Sequence, residues 1–124
     1  MRKLFLLIIL GVGLVYADCS DGDEFNADGY HCGDLQVLQD IIDANPSLEG
    51  QNTLDIGSIQ AWNNGRLTYL TLLFSQLTSL PESIGDLSNL EGMNLFENQL
   101  TSLPESIGEL SSLKTLYLSS NQLT

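Results

Sequence analysis

The chain has 124 residues and a formal charge of −12, with four Lys or Arg against sixteen Asp or Glu. So few cations give nothing to hold a phosphate backbone, and nucleic acid is not an expected partner. One histidine, His31, and two cysteines make neither a paired metal-ligand spacing nor a nucleophile with an oriented base, so no metal, no cofactor and no enzymatic activity is expected.

Arg2 and Lys3 precede an apolar run from Leu4 to Val15, and Val15-Tyr16-Ala17 offers small residues for cleavage, so residues 1–17 read as a signal peptide. The run is well short of the roughly 20 residues that span a bilayer. Tyr16, Ala17 and Asp18 ahead of Cys19 do not make a lipoprotein signal. The expectation is a secreted or cell-surface protein with no membrane span in the mature chain, whose charge becomes −14 once Arg2 and Lys3 are removed.

Residues 18–32 form an acidic, cysteine-containing head; ten of the sixteen acids fall between Asp18 and Asp55, a stretch whose charge serves solvation. Cys19 and Cys32 either close a 14-residue loop, worth about 3 kcal/mol in the chain-entropy account, or stay as two thiols. Glu24, Asn26, Asp28 and Gly29 follow the first ligand spacings of a calcium loop, but Leu35 stands at its twelfth position and Asp34 falls one residue early. A solvated acidic loop is therefore the default reading.

Residues 33–66 read as an N-terminal cap. Asp34 is placed as the N-cap of a helix whose Leu35, Leu38, Ile41 and Ile42 share one face, and Asn45-Pro46 ends it. Leu54, Ile56, Ile59 and Trp62 suggest a short amphipathic turn of helix, and Asn63-Asn64-Gly65 a tight turn into the first strand. Trp62 is assigned to the core of this cap.

From Leu67 the line LxxLxLxxNxL recurs at Leu90 and Leu113, a step of 23 residues, with Met93 once in place of leucine. A fixed step means one supersecondary unit stacked on copies of itself: residues 67–89, 90–112 and a partial unit 113–124. Alternation sends Leu90, Met93 and Leu95 to the core and Gly92 and Asn94 to the other face. Asn98 and Asn121 follow the strands as a structural ladder, their amides serving backbone groups at the bend; Ser75 holds that place in the first line. LPESIG at 80–85 and 103–108 writes the return path, with proline where no donor is needed and a short helical or 3₁₀ turn after it.

Taken together, LxxLxLxxNxLTxLPESIGxLxxL over Leu67 to Thr124 resembles the 23-residue leucine-rich-repeat class typified by Ras-suppressor and plant intracellular Ras-group repeat proteins, which is also common in bacteria. Trp62 ahead of Arg66-Leu67-Thr68 is similar to the N-terminal caps of exported leucine-rich-repeat proteins. The resemblance implies an α/β solenoid: a curved stack with parallel strands on its concave face, short helical or 3₁₀ return segments, a helical N-terminal cap, and a protein ligand. It places Tyr69, Thr71, Leu73 and Phe74, then Gly92, Asn94, Phe96 and Glu97, then Thr115, Tyr117, Ser119 and Ser120 on the concave face. Of these, Tyr69, Thr71, Leu73, Phe74, Asn94, Phe96, Glu97 and Tyr117 are the candidate ligand-binding residues, although Phe74 and Phe96 also suit a structural place beside the strand. The chain stops twelve residues into its third unit, which reads as a fragment. Two functions are carried forward: an exported protein-binding module, or an N-terminal targeting or structural module of a longer protein with an enzyme or surface anchor beyond Thr124.

Overall fold

The computed structural model describes Cys19 and residues 22–124; the expected signal peptide lies outside the described residues. Helix α1 spans Cys32–Ala44 and buries Leu35, Val37, Leu38, Ile41 and Ile42 along one stripe. His31, rather than Asp34, is its N-cap: the His31 imidazole Nδ1 accepts the Asp34 N–H at 3.1 Å. Asp34 is instead a buried residue of the first turn. Its carboxylate is taken by the start of the second strand, where it accepts the Leu67 N–H at 2.9 Å and two Arg66 donors. Asn45 closes the helix by donating its N–H to the Ile42 carbonyl, and Pro46 opens a one-turn 3₁₀ segment, Pro46–Leu48.

The helical turn expected from Leu54 to Trp62 is not formed. Ile59–Asn63 is a strand, β1, paired antiparallel with β2, Arg66–Thr71. Asn64 and Gly65 join them with φ of 51° and 78°, and two consecutive positive φ values make the hairpin turn whose twist matches that of paired strands. The apolar spacing here misleads because exposed Ile59 and half-buried Trp62 fall on opposite faces of β1; the register shift between Ala61 and Trp62 skips Thr68, so the extra residue lies in β2. Gln60 and Trp62 nevertheless lie on the core side: the Gln60 amide donates to the Thr53 and Ile56 carbonyls at 2.8 and 3.0 Å, and half-buried Trp62 packs on the core.

Strands β3 (Gly92–Asn94) and β4 (Thr115–Tyr117) add in parallel, giving one sheet in the order β1-β2-β3-β4. Tyr69 pairs with Gly92 and Gly92 with Thr115, so the 23-residue step of the sequence is the register of the sheet. Pro81 and Pro104 lead into 3₁₀ turns Glu82–Asp86 and Glu105–Glu109, as the repeated LPESIG predicts. Between sheet and turns lies the core, with Leu67, Leu70, Leu72, Leu77, Ile84, Leu87, Leu90, Leu95 and Leu100 fully buried. Leu113, Leu116 and Leu118 are only partly covered.

Helix α1 lies against the first 3₁₀ turn, where the Ser83 hydroxyl donates to Asp40 at 2.7 Å. Asn45 joins the two more firmly: its Oδ1 accepts the Thr78 and Ser79 N–H groups at 2.8 and 3.3 Å, and its Nδ2 donates to the Ile41 and Ser79 carbonyls at 2.9 and 3.0 Å. Among the described residues no helix is long and apolar enough to cross a membrane.

Candidate functional site on the outer face of the sheet

Because side chains alternate along a strand, each pair of facing residues in the ladder puts both side chains on the same side. Ile59, Thr71, Asn94 and Tyr117 therefore make one row across the outer face, and Ala61, Tyr69, Gly92 and Thr115 a second. None of the eight carries a charge. Ile59 is 60% exposed, Tyr117 56% and Tyr69 43%, a concentration of apolar surface that none of the described residues covers.

Gly92 departs from the expectation of an exposed position and is buried. The Tyr69 ring lies across it: a Cβ at residue 92 would stand 2.5 Å from two ring carbons and 2.9 Å from the Thr115 hydroxyl. The missing side chain leaves room for the tyrosine ring against the neighbouring strand. Between Tyr69 and Tyr117 this leaves a cleft of about 270 Å³, lined also by Thr71, Met93, Asn94 and Thr115. Asn94 Oδ1 accepts the Phe96 N–H at 3.0 Å, so the amide is fixed and its nitrogen is the group left to donate.

Past the strands, Phe74, Glu97 and Ser120 occupy the same place in successive lines and all have left-handed backbone, with φ of 51°, 55° and 59°. The conformation belongs to the repeat, while the side chain is particular to each line. Phe74 is 63% exposed and meets half-buried Phe96 edge-on, with ring centroids 5.9 Å apart. Phe96 thus has a structural contact, and Phe74 remains presented to solvent. Leu73 is half-buried; Glu97, Ser119 and Ser120 are exposed.

The asparagine ladder stands directly behind this bend. Asn98 accepts the Ser75 and Leu77 N–H groups on Oδ1, both at 3.0 Å, and donates to the Leu72 and Leu95 carbonyls at 2.7 and 3.0 Å. Asn121 repeats the pattern with the Leu100 N–H and the Leu95 and Leu118 carbonyls. Ser75 reaches only the carbonyl of Leu73, two residues back.

With this geometry in place, the chain can be set beside known proteins. Residues 65–123 match the family described as leucine rich repeat. Over these residues the chain is similar to leucine-rich repeats. No curated protein and no solved structure matches the chain.

Among the described residues both fixed cations, Arg66 and Lys114, are already paired with acids. Lys114 pairs with Glu91 at 2.7 Å, and hydrogen bonding to that carboxylate raises the lysine above its ordinary value. Arg66 pairs with Asp34, whose hydrogen bonds hold the guanidinium proton more tightly still. In the head, Cys19 and Cys32 are disulfide-bonded, which ties residue 19 to the start of α1. The calcium-like stretch is organised otherwise: Asn26 is buried, and its Oδ1 accepts the Asp28 and Tyr30 N–H groups at 3.1 and 2.9 Å.

Sequence reasoning did not place Ile59 or Ala61 on the candidate face, because it read β1 as helix. The signal was present in Asn64-Gly65, a two-residue connection that favours a hairpin over a loop from helix to strand.

Proposed function

We propose that this chain is an exported protein-recognition module, a capped stack of 23-residue leucine-rich repeats that binds a protein partner on its outer sheet face and performs no chemistry of its own. Leucine-rich-repeat domains commonly mediate protein–protein interaction, and the observation that carries the reading here is the uncharged face built by Ile59, Tyr69, Thr71, Asn94, Thr115 and Tyr117. Tyrosines partly exposed around a cleft supply large contact area at small entropic cost, which is how recognition surfaces concentrate their energy. The cap is assigned to α1 and the β1–β2 hairpin, supported by the buried stripe of α1 and by the Asn45 bonds into the first repeat. Export rests on residues 1–17 and is supported by a disulfide, which persists in oxidising compartments.

The binding test is capture of surface proteins from the source cells by wild-type chain and by the triple variant Tyr69→Ala, Phe96→Ala, Tyr117→Ala. Loss of capture of at least about a hundredfold, with an unchanged circular dichroism spectrum, is expected. Equal capture by the folded variant refutes the assignment. Export is checked separately by N-terminal sequencing of the protein from culture medium, where the chain should begin at Asp18.

A further inference from the structure

Two residues beyond Thr71 in the same alternation, Leu73 opens a second depression, of about 460 Å³, that continues the outer face past the end of β2. Ser47, Gln51, Asp55, Ser58, Phe74 and Gln76 complete most of its wall. Its one charged group is Asp55, whose Oδ2 accepts the Asn52 amide at 3.0 Å and whose other oxygen is left for a further donor. Phe74, the most exposed large apolar residue among those described, stands at the same depression. A carboxylate and an exposed aromatic ring lining one depression, together with hydroxyls and amides, make an environment that attracts an ammonium or guanidinium group.

The charge of the molecule points the same way. Among the described residues Arg66 and Lys114 are the fixed cations, and both are already paired with acids of this chain. An anionic partner would meet a net charge of −14 on the exported chain (−12 less Arg2 and Lys3), with no uncommitted Lys or Arg among the described residues, whereas a cationic one is drawn to the surface from a distance. The cleft between Tyr69 and Tyr117 has two aromatic flanks but no carboxylate in its lining. The depression that holds Asp55 and Phe74 begins at Leu73, two residues or roughly 6–7 Å of extended chain beyond Thr71 in the cleft.

We propose that the partner of this face is a basic, extended protein segment, with a lysine or arginine side chain in the Asp55–Phe74 depression and apolar or aromatic side chains across the Tyr69–Tyr117 cleft. This rests on the protein-binding reading above and names the chemistry of the partner.

The experiment is selection of a random peptide library against the full, disulfide-intact chain, followed by affinity measurement of the enriched peptides at low and high salt. Expected are peptides enriched in Lys or Arg next to apolar residues, with affinity falling about tenfold or more in Asp55→Asn and in Phe74→Ala, and falling with added salt. Enriched peptides without basic residues, or basic peptides indifferent to Asp55→Asn and Phe74→Ala yet lost on Tyr117→Ala, overturn the cation seat and leave the protein-binding reading standing. Peptides indifferent to Tyr69→Ala and Tyr117→Ala as well, or no enrichment at all, overturn both. A chain that self-associates in sedimentation and becomes monomeric in Tyr117→Ala assigns the face to a second copy and overturns the basic-segment proposal. Asp55→Asn keeps the oxygen that accepts from Asn52, so a loss of affinity in that variant reports on charge and not on folding.

Discussion

Asp34, 1% exposed in the first turn of α1, holds Arg66 at the start of β2 through hydrogen bonds of 2.9 and 3.1 Å. The same carboxylate accepts the Leu67 N–H, so one side chain fixes the head to the first repeat. Removing only the cation strands a buried carboxylate. Arg66→Met is expected to cost about 3–5 kcal/mol in a denaturation series, and Asp34→Asn less, because the amide oxygen still serves Leu67. An unshifted midpoint for Arg66→Met would show the pair to be solvated.

The ladder asparagines should differ in weight according to burial. Asn98 is 6% exposed and serves four backbone groups, whereas Asn121 is half-buried at the less covered third line. Asn98→Ala is expected to cost about 1–3 kcal/mol, or more if two donors are stranded at once, and Asn121→Ala distinctly less. Equal losses in thermal melts would mean that both amides see the same environment.

Reduction of the Cys19–Cys32 bond, or Cys32→Ser, releases a loop of 14 residues. The expected loss is about 3 kcal/mol, read as a lower denaturant midpoint under reducing conditions. Because the bond ends on the first residue of α1, hydrogen exchange at the start of that helix should rise first.

Gly92→Ala places a methyl group where the Tyr69 ring lies. The ring is 43% exposed and can swing outward, so the stability change should stay within about 1 kcal/mol. Contacts between the Tyr69 ring and residue 92 should vanish from NMR spectra, and any ligand of the cleft should bind less well. Intact ring contacts would place Tyr69 elsewhere.

The Lys114–Glu91 pair gives a pH dependence whose sign follows from the raised lysine. Its contribution is fully present below the ordinary lysine value of 10.5 and is lost as pH rises through the higher folded value. The difference in Tm between wild type and Lys114→Gln should therefore be constant from neutral pH to about 10.5, small and salt-sensitive as for exposed pairs, and should shrink above it. A difference that grows with pH would reverse the assignment.

What was legible in the sequence follows from periodicity. Leucines 23 residues apart encode register, burial and return path together, so the repeat strands and the LPESIG turns stand where the letters put them. The head obeys no period, and its short signals compete. Asp34 looked like a helix cap because Asp is a good one, but its real partner is 32 residues away in sequence. Ile59 and Trp62 look helical because they are three residues apart and both apolar, although one faces outward and the other the core. On the candidate face, alternation placed Tyr69, Thr71, Asn94 and Tyr117, while the covering of Gly92 by a neighbouring ring is a contact between strands that no single line of sequence contains.

Asn45 is bonded both to the last turn of its own helix and to Thr78 and Ser79 in the stretch that follows β2, 33 and 34 residues on. That arrangement gives the molecule a direction. The helix and the first repeat are therefore expected to open together, and each later repeat to draw its stability from the neighbour it stacks on. Amide protection should accordingly decline from Leu72 through Leu95 to Leu118, and partial unfolding should begin at the third line and travel back toward the helix.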